Sequence, residues 1–301
     1  MPEEFLSICI PTRNRCALLA GLLARLEDEI NRHNIPVETL RVYVFDNATT
    51  DGTAAMVQAF LPRLKHLKYS RHPELINGGL NILHCAKMAL GTYCWIVGDD
   101  DLVNPGVLPH ILDVLRQHRP ALFINNRGSD ESALAVPVLF PSFQAFAAAC
   151  VRVNPHMLLT HSLITANIFE CSRFDHAFAL SMLPTHYGQM YGLVSGLAKS
   201  PGGVYLTDRH TIMVRNSSAA PVDGIVWESL DQVWVDYLAW LKTRFDLPEL
   251  RPEAIAEYIR LSLRHEFKAH PFLACLRYSQ SLLKPQAYKT LWKLLRLPER
   301  S

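Results

Sequence analysis

The chain has 301 residues, 49% of them apolar and 19% charged, enough for one large core or two smaller ones and too apolar for a disordered chain. A formal net charge of +2 excludes a broadly basic nucleic-acid binder. The charge is unevenly placed: from Arg260 onward nine Lys and Arg accompany two Glu, a net of +7 that leaves −5 on residues 1–259.

In chain order, residues 6–10 read as a first strand stopped by Pro11, and Leu19, Leu22, Leu23, Leu26 and Ile30 recur with the period of an amphipathic helix. A second strand, residues 41–45, ends on Asp46. Residues 47–53 then supply a turn and a helix cap before a helix reaching about Phe60. Residues 64–69 suit a third strand, Asn77-Gly78-Gly79 opens a helix over about 80–90, and Gly91 leads into an apolar strand ending at Asp99. Pro105 suits the first turn of a helix reaching about His118, and residues 121–124 suit another strand. Further on, residues 145–151 read as helix, 163–169 as strand and 192–199 as the end of a helix. Residues 204–206 and 211–214 read as short strands around a polar turn at Asp208, Arg209 and His210. Trp227, Trp234, Tyr237, Leu238 and Leu241 return to helical spacing. Strands alternating with helices of this length predict an α/β fold with a mainly parallel sheet and right-handed crossovers.

The seven cysteines, Cys9, Cys16, Cys85, Cys94, Cys150, Cys171 and Cys275, are scattered and form no C-x-x-C, the pattern of reduced core residues in a cytoplasmic protein. The start, Met-Pro-Glu-Glu, does not resemble a signal peptide, and no apolar run reaches the length of a transmembrane helix.

The chemistry concentrates where the apolar run Tyr93, Cys94, Trp95, Ile96, Val97 breaks at Gly98 into Asp99, Asp100 and Asp101. Cys94 and Trp95 read as core. A buried parallel strand delivers such residues to the carboxyl edge of a sheet, where α/β folds bind ligands. Three adjacent carboxylates suit a hard divalent cation that shares oxygen ligands with substrate phosphates; the competing reading is a solvated acidic turn. The first two strands end in polar groups at the same edge, Pro11, Thr12, Arg13 and Asn14 in one case, Asp46 and the turn to Gly52 in the other.

In this order and spacing, these segments together with Asn77 to Asn81 resemble inverting glycosyltransferase family 2 over about residues 5–125. The closing Trp-Ile-Val-Gly-Asp-Asp-Asp is most similar to its abequosyltransferase-type branch, which builds bacterial surface polysaccharides. The resemblance implies the GT-A fold, a Rossmann-like, mainly parallel sheet flanked by helices. It implies a nucleotide-sugar site made of Pro11, Thr12, Arg13, Asn14, Asp46, Asn81, Asp99 and Asp100. Asp46 would meet the nucleotide base, Asp99 would lie near the ribose, and Asp101 would ligate Mn²⁺ or Mg²⁺ bridging the diphosphate. For Asn81 a helix-capping role competes with substrate binding, and Arg13 and Arg71 stand as phosphate or base contacts against a reading as solvated arginines.

The implied reaction is transfer of a sugar from a nucleotide-diphosphate donor to a saccharide hydroxyl, such as that of a lipid-linked glycan. It requires charge stabilisation on the leaving phosphate and a base for the hydroxyl proton. The family's acidic pair for that proton is absent here, where residues 183–190 read Leu-Pro-Thr-His-Tyr-Gly-Gln-Met. His186 is the nearest substitute, with His161 and Asp175 as competitors. His210 is a further candidate at the metal or diphosphate, and Arg215 with residues 216–218 suits a loop over the diphosphate. The rival readings are a sugar nucleotidyltransferase, which normally carries a Gly-rich loop after the first strand, and a non-catalytic nucleotide-sugar-binding subunit.

The resulting division is a GT-A domain over residues 1–220, with a nucleotide-sugar half at 1–125 and an acceptor half at 126–220, followed by a helical region at 221–301. In the latter, Tyr288, Leu291, Trp292 and Leu295 share one helix face beside Lys289, Lys293 and Arg296. That pattern suits peripheral contact with the cytoplasmic face of a membrane, and equally a helix packed on the catalytic domain.

Overall fold

The computed structural model describes residues 4–126, 137–153, 155, 157–160, 164–185, 187–214 and 230–253. The chain divides into two compact units, Met1–Asn216 and Ser217–Ser301.

The first unit begins with β1 (Leu6–Thr12), α1 (Cys16–Arg32), β2 (Leu40–Asp46), α2 (Thr53–Phe60), β3 (Leu67–Arg71), α3 (Gly78–Met88) and β4 (Tyr93–Ile96). It continues with β5 (Asp101–Val103), α4 (Val107–His118), β6 (Leu122–Asn126), β7 (Val138–Phe140), α5 (Phe143–Val153) and α6 (Met157–Thr160). It ends with β8 (Asn167–Glu170), α7 (His176–Ser181), α8 (Gly188–Lys199), β9 (Val204–His210) and β10 (Ile212–Val214). Eight strands form one sheet in the order β3-β2-β1-β4-β8-β6-β9-β7. The first four are parallel as expected. The remainder is mixed, because β8 runs antiparallel between β4 and β6, and β7 runs antiparallel to β9.

Period-two alternation sorts the sheet faces. Leu6, Ile8 and Ile10 of β1 join Val42 and Val44 of β2 in a core filled by the α1 stripe Leu19, Leu22, Leu23, Leu26 and Ile30 and by Leu108, Ile111 and Leu115 of α4. Each such side chain, taken fully out of water, contributes roughly 1.5–3 kcal/mol. Cys9, Cys85, Cys94 and Cys150 are buried free thiols, and burial raises the pKa of Cys85 and Cys94 well above the ordinary thiol value, which leaves them unreactive.

Several elements differ from the sequence expectation. Residues 164–166, expected in a strand over 163–169, form a helical turn in which Trp95 and Asn125 side chains take the Thr165 carbonyl, and the strand begins only at Asn167. β1 continues through Pro11 to Thr12. Cys9 gives its carbonyl to Val97 N–H, and Pro11 turns its nitrogen to that same side, where pairing with β4 has ended, so no ladder bond is lost. α8, whose end was expected over 192–199, starts at Gly188, and its glycines every four residues admit a close neighbour; a Cβ on Gly196 would come within 1.6 Å of the Arg173 carbonyl oxygen. Asp208, Arg209 and His210 do not form a turn: they are the end of β9, and one residue later β10 leaves the sheet to pair antiparallel with β5.

In the second unit, α9 (Leu230–Arg244) buries Tyr237, Leu238 and Leu241 on one stripe. The amphipathic segment around Trp292 lies outside the described residues. Among the described residues, no helix is long and apolar enough to cross a membrane.

Candidate active site

Because β2, β1 and β4 are adjacent and parallel, their carboxyl ends lie at one edge. Thr12 is the register partner of Asp46, and the chain leaving β4 at Ile96 reaches Asp99 three residues on. Three polar strand ends separated widely in sequence therefore converge.

Asp99 sits at the centre with 4% of its side chain exposed. Its Oδ2 accepts the Thr12 hydroxyl at 2.7 Å and its Oδ1 accepts Arg15 Nη1 at 2.9 Å. The same Nη1 lies 3.3 Å from Asp100 Oδ2. Burial pushes the Asp99 carboxyl above its usual range, while Arg15 and Thr12 hold it back. Burial also works against the charge of Arg15, but Asp99 and Asp100 outweigh it and raise its pKa.

Asp101 is 7% exposed and accepts the Thr165 hydroxyl on Oδ2 at 2.5 Å. Thr165 lies in the helical turn Ile164–Ala166 that feeds β8. A Cβ on Gly98 would fall 2.9 Å from Asp100 Oδ1 and 3.3 Å from Asp101 Oδ2, so the two carboxylates lean over the open side of that glycine. Among the described residues no three His, Cys, Asp or Glu side chains form a ready-made metal cage. Two converging carboxylates nevertheless suit a hard cation that takes its other ligands from phosphate and water.

Asp46 is fully buried. Its Oδ1 accepts Thr49 N–H and its Oδ2 the Thr49 hydroxyl, both at 2.8 Å, and Oδ2 also accepts the Tyr69 hydroxyl. Burial and this carboxylate raise the Tyr69 pKa. Arg71 reaches Thr49 O at 2.7 Å. Between these anchors Ala48 is held at φ 52°, a left-handed conformation uncommon for alanine and of the kind that clusters at binding loops. Asn47 pins the loop from the other side through Ile76, at 2.8 and 2.9 Å. Asn14, also left-handed at φ 51°, accepts Thr50 N–H at 2.8 Å and so ties the loop after β1 to the loop after β2. The exposed carboxylate of Asp51 accepts from Thr53 N and Cys16 N, the starts of α2 and α1. Burial would raise its pKa, but these bonds lower it.

The other predicted residues fall as follows. Pro11 and Arg13 are half-buried on the loop beside Thr12. Asn81 is buried and turned inward: its Nδ2 donates to Phe45 O at 3.1 Å and its Oδ1 faces His72 Nε2 at 3.1 Å. It does not cap α3; Asn77 does, accepting Leu80 N–H at 3.2 Å. Asp175 caps α7, and its Oδ2 is held by Ser195 and by Lys199 at 2.5 Å. Those partners, against a burial that works the other way, lower its pKa and make it a poor base. The exposed His210 gives its carbonyl to Asn104 Nδ2 at 2.8 Å. His186, His161 and Arg215 lie outside the described residues.

Sequence reasoning missed Arg15, Tyr69 and Thr165. Arg15 stood in the Pro-Thr-Arg-Asn-Arg loop, and its place directly before α1 was the available signal. Thr165, 64 residues from Asp101, carried none.

Residues 7–142 match the family model described as Glycosyl transferase family 2. Abequosyltransferase RfbV of Salmonella typhimurium is 34% identical over 97 residues, covering 32% of this chain and 28% of that protein. Among solved structures, TarS of S. aureus superposes with a TM-score of 0.57 at 16% identity, over 98% of this chain and 50% of that one. Its residues 1–349 in complex with UDP-GlcNAc give 0.56 at 14% identity, over 97% and 79%. The mannosyltransferase PcManGT of Pyrobaculum calidifontis, in complex with GDP-Man and Mn²⁺, gives 0.50 at 15% identity, over 98% and 85%. The likeness to these structures establishes the GT-A fold, and the chain spans less than a third of the curated relative and half of the full TarS chain.

Proposed function

We propose, on the premise that residues 7–142 are a glycosyl transferase family 2 domain, that the chain is an inverting, divalent-metal-dependent glycosyltransferase. It moves a sugar from a nucleotide-diphosphate donor to a saccharide hydroxyl in bacterial polysaccharide synthesis. The observation that carries this reading is the acidic turn after β4, cross-braced to the end of β1 by Thr12 and to the start of α1 by Arg15 and neighboured by Asp46 at the end of β2. The donors in the TarS and PcManGT complexes, UDP-GlcNAc and GDP-Man with Mn²⁺, support a nucleotide-sugar and metal role for this edge. Similarity to an abequosyltransferase supports a glycan acceptor.

In this scheme the acceptor oxygen bonds to the anomeric carbon as the carbon–oxygen bond to the diphosphate breaks, and the hydroxyl proton passes to a base. Asp101 and Asp100 would hold the cation, which would supply charge stabilisation for the leaving diphosphate. Thr12 and Arg15 hold Asp99 in place beside the ribose. The loops carrying Asn14 and Ala48 border the base site with Asp46, and Arg13 and Arg71 serve the donor as contacts. Because Asp175 is tied down as a cap, the base is assigned to His186 on its place in the sequence. The basic segment after Lys284 is assigned to peripheral membrane contact with a lipid-linked acceptor; liposome binding unchanged by its removal overturns that assignment.

Thermal-shift measurements with UDP, GDP, CDP and dTDP, each with and without Mn²⁺, test the donor reading. At a hundredfold excess over Kd a ligand stabilises by about 2.7 kcal/mol, a melting shift of roughly 5–10 °C. No shift with any of the four overturns it. His186→Ala tests the base: retained donor binding with lost transfer supports the assignment, and unchanged transfer refutes it.

A further inference from the structure

We infer that Thr165 is a positioning residue that aims the Asp101 carboxylate at the cation and diphosphate of the donor, an inference that rests on the glycosyltransferase reading above. Thr165 is 2% exposed and meets four groups. Its carbonyl accepts the Trp95 indole N–H at 2.9 Å from β4 and the Asn125 amide at 3.0 Å from β6, the two strands that flank β8. Its backbone is thus pinned without using its hydroxyl.

The hydroxyl serves the acidic turn. It accepts Gly98 N–H at 2.9 Å and lies 2.5 Å from Asp101 Oδ2. A backbone N–H can only donate, so the single hydroxyl hydrogen is directed at Asp101. The hydroxyl therefore joins the first and last residues of the Gly98 to Asp101 turn, which also closes through Asp101 N–H to Gly98 O at 3.0 Å. This fixes the rotation of the Asp101 carboxylate over Gly98. Groups that orient a metal-ligating carboxylate in this way affect metal affinity without touching the metal.

The double anchoring of the backbone makes the test specific. Thr165→Val keeps the shape and both carbonyl bonds while removing the hydroxyl, and Thr165→Ser keeps the hydroxyl. Mn²⁺ affinity is read from the electron paramagnetic resonance of free Mn²⁺, in the presence of whichever of UDP, GDP, CDP or dTDP stabilises the parent chain. Thr165→Val is expected to weaken Mn²⁺ binding by about 10–100-fold, and Thr165→Ser to recover most of the loss. Parent-like affinity in Thr165→Val, or no recovery in Thr165→Ser, overturns the inference while leaving the glycosyltransferase reading intact. A parent chain that binds no Mn²⁺ with any nucleotide overturns both. Thr165→Ala is the second probe should the valine variant not fold; if neither folds, the hydroxyl is a folding element and the positioning role is wrong.

Discussion

Thr12, at the end of β1, donates its hydroxyl to Asp99 at 2.7 Å across 87 residues of sequence. Both are buried, at 3% exposure each. The bond locks the first strand to the acidic turn and sets the distance between the two loops that border the candidate donor site. Thr12→Val removes the donor and leaves a buried carboxylate short of one partner. It is expected to lower stability by about 1.5–3 kcal/mol, with Thr12→Ser close to the parent. Urea unfolding of the three proteins checks this; equal midpoints for parent and valine variant would contradict it.

Arg15 bridges Asp99 and Asp100 through one guanidinium nitrogen. Arg15→Gln removes one cation from the buried Asp99 carboxylate. The expected cost is about 3 kcal/mol, the low end for a buried pair because Arg15 keeps 20% of its side chain exposed. Mn²⁺ with a binding nucleotide should stabilise the variant more than the parent, since an added cation answers the unbalanced charge. A parent-sized shift in the variant would show that the ion and Arg15 do not serve the same carboxylates.

Gly98→Ala introduces a Cβ 2.9 Å from Asp100 Oδ1 and 3.3 Å from Asp101 Oδ2. The partly exposed Asp100 side chain can move aside and the Asp101 carboxylate, held by Thr165, needs to give by only a few tenths of an ångström, so the melting temperature is expected to stay within about 3 °C of the parent. The cost falls on the displaced carboxylates. Mn²⁺ affinity should drop at least about tenfold. Titration calorimetry that finds no change would disconnect Gly98 from the metal site.

A pH effect follows from the histidine pair His72 and His84 beside Asn81. Asn81 donates its amide to Phe45 O and so presents its oxygen to His72 Nε2, which carries the one hydrogen that Asn81 Oδ1 and His84 Nδ1, at 3.1 and 3.2 Å, share as acceptors. Burial, with His72 and Lys87 nearby, lowers the His84 pKa. The unfolded chain, with His near 6.5, takes up the proton first, so this contribution is present above about pH 6.5, declines as pH falls through that value and levels off below the folded pKa. His84→Asn keeps an acceptor and cannot titrate. It should lose less stability than the parent between pH 7.5 and pH 5 in urea unfolding, and equal losses would refute the assignment.

The amino-acid sequence alone determined the elements whose periodicity is local. The Leu19 to Ile30 stripe, the apolar strands and the acids at their ends are properties of neighbouring residues, and they placed Asp46 and Asp99 at one edge of a parallel sheet. What holds those acids was decided only in three dimensions. Thr165 reaches Asp101 because β8 inserts antiparallel beside β4, Tyr69 reaches Asp46 through the pairing of β3 with β2, and β10 leaves the main sheet to meet β5 opposite Asp101. A hydroxyl forms its bond within about 3 Å and follows no period. Strand order, rather than any motif, therefore selected the groups that orient the carboxylates.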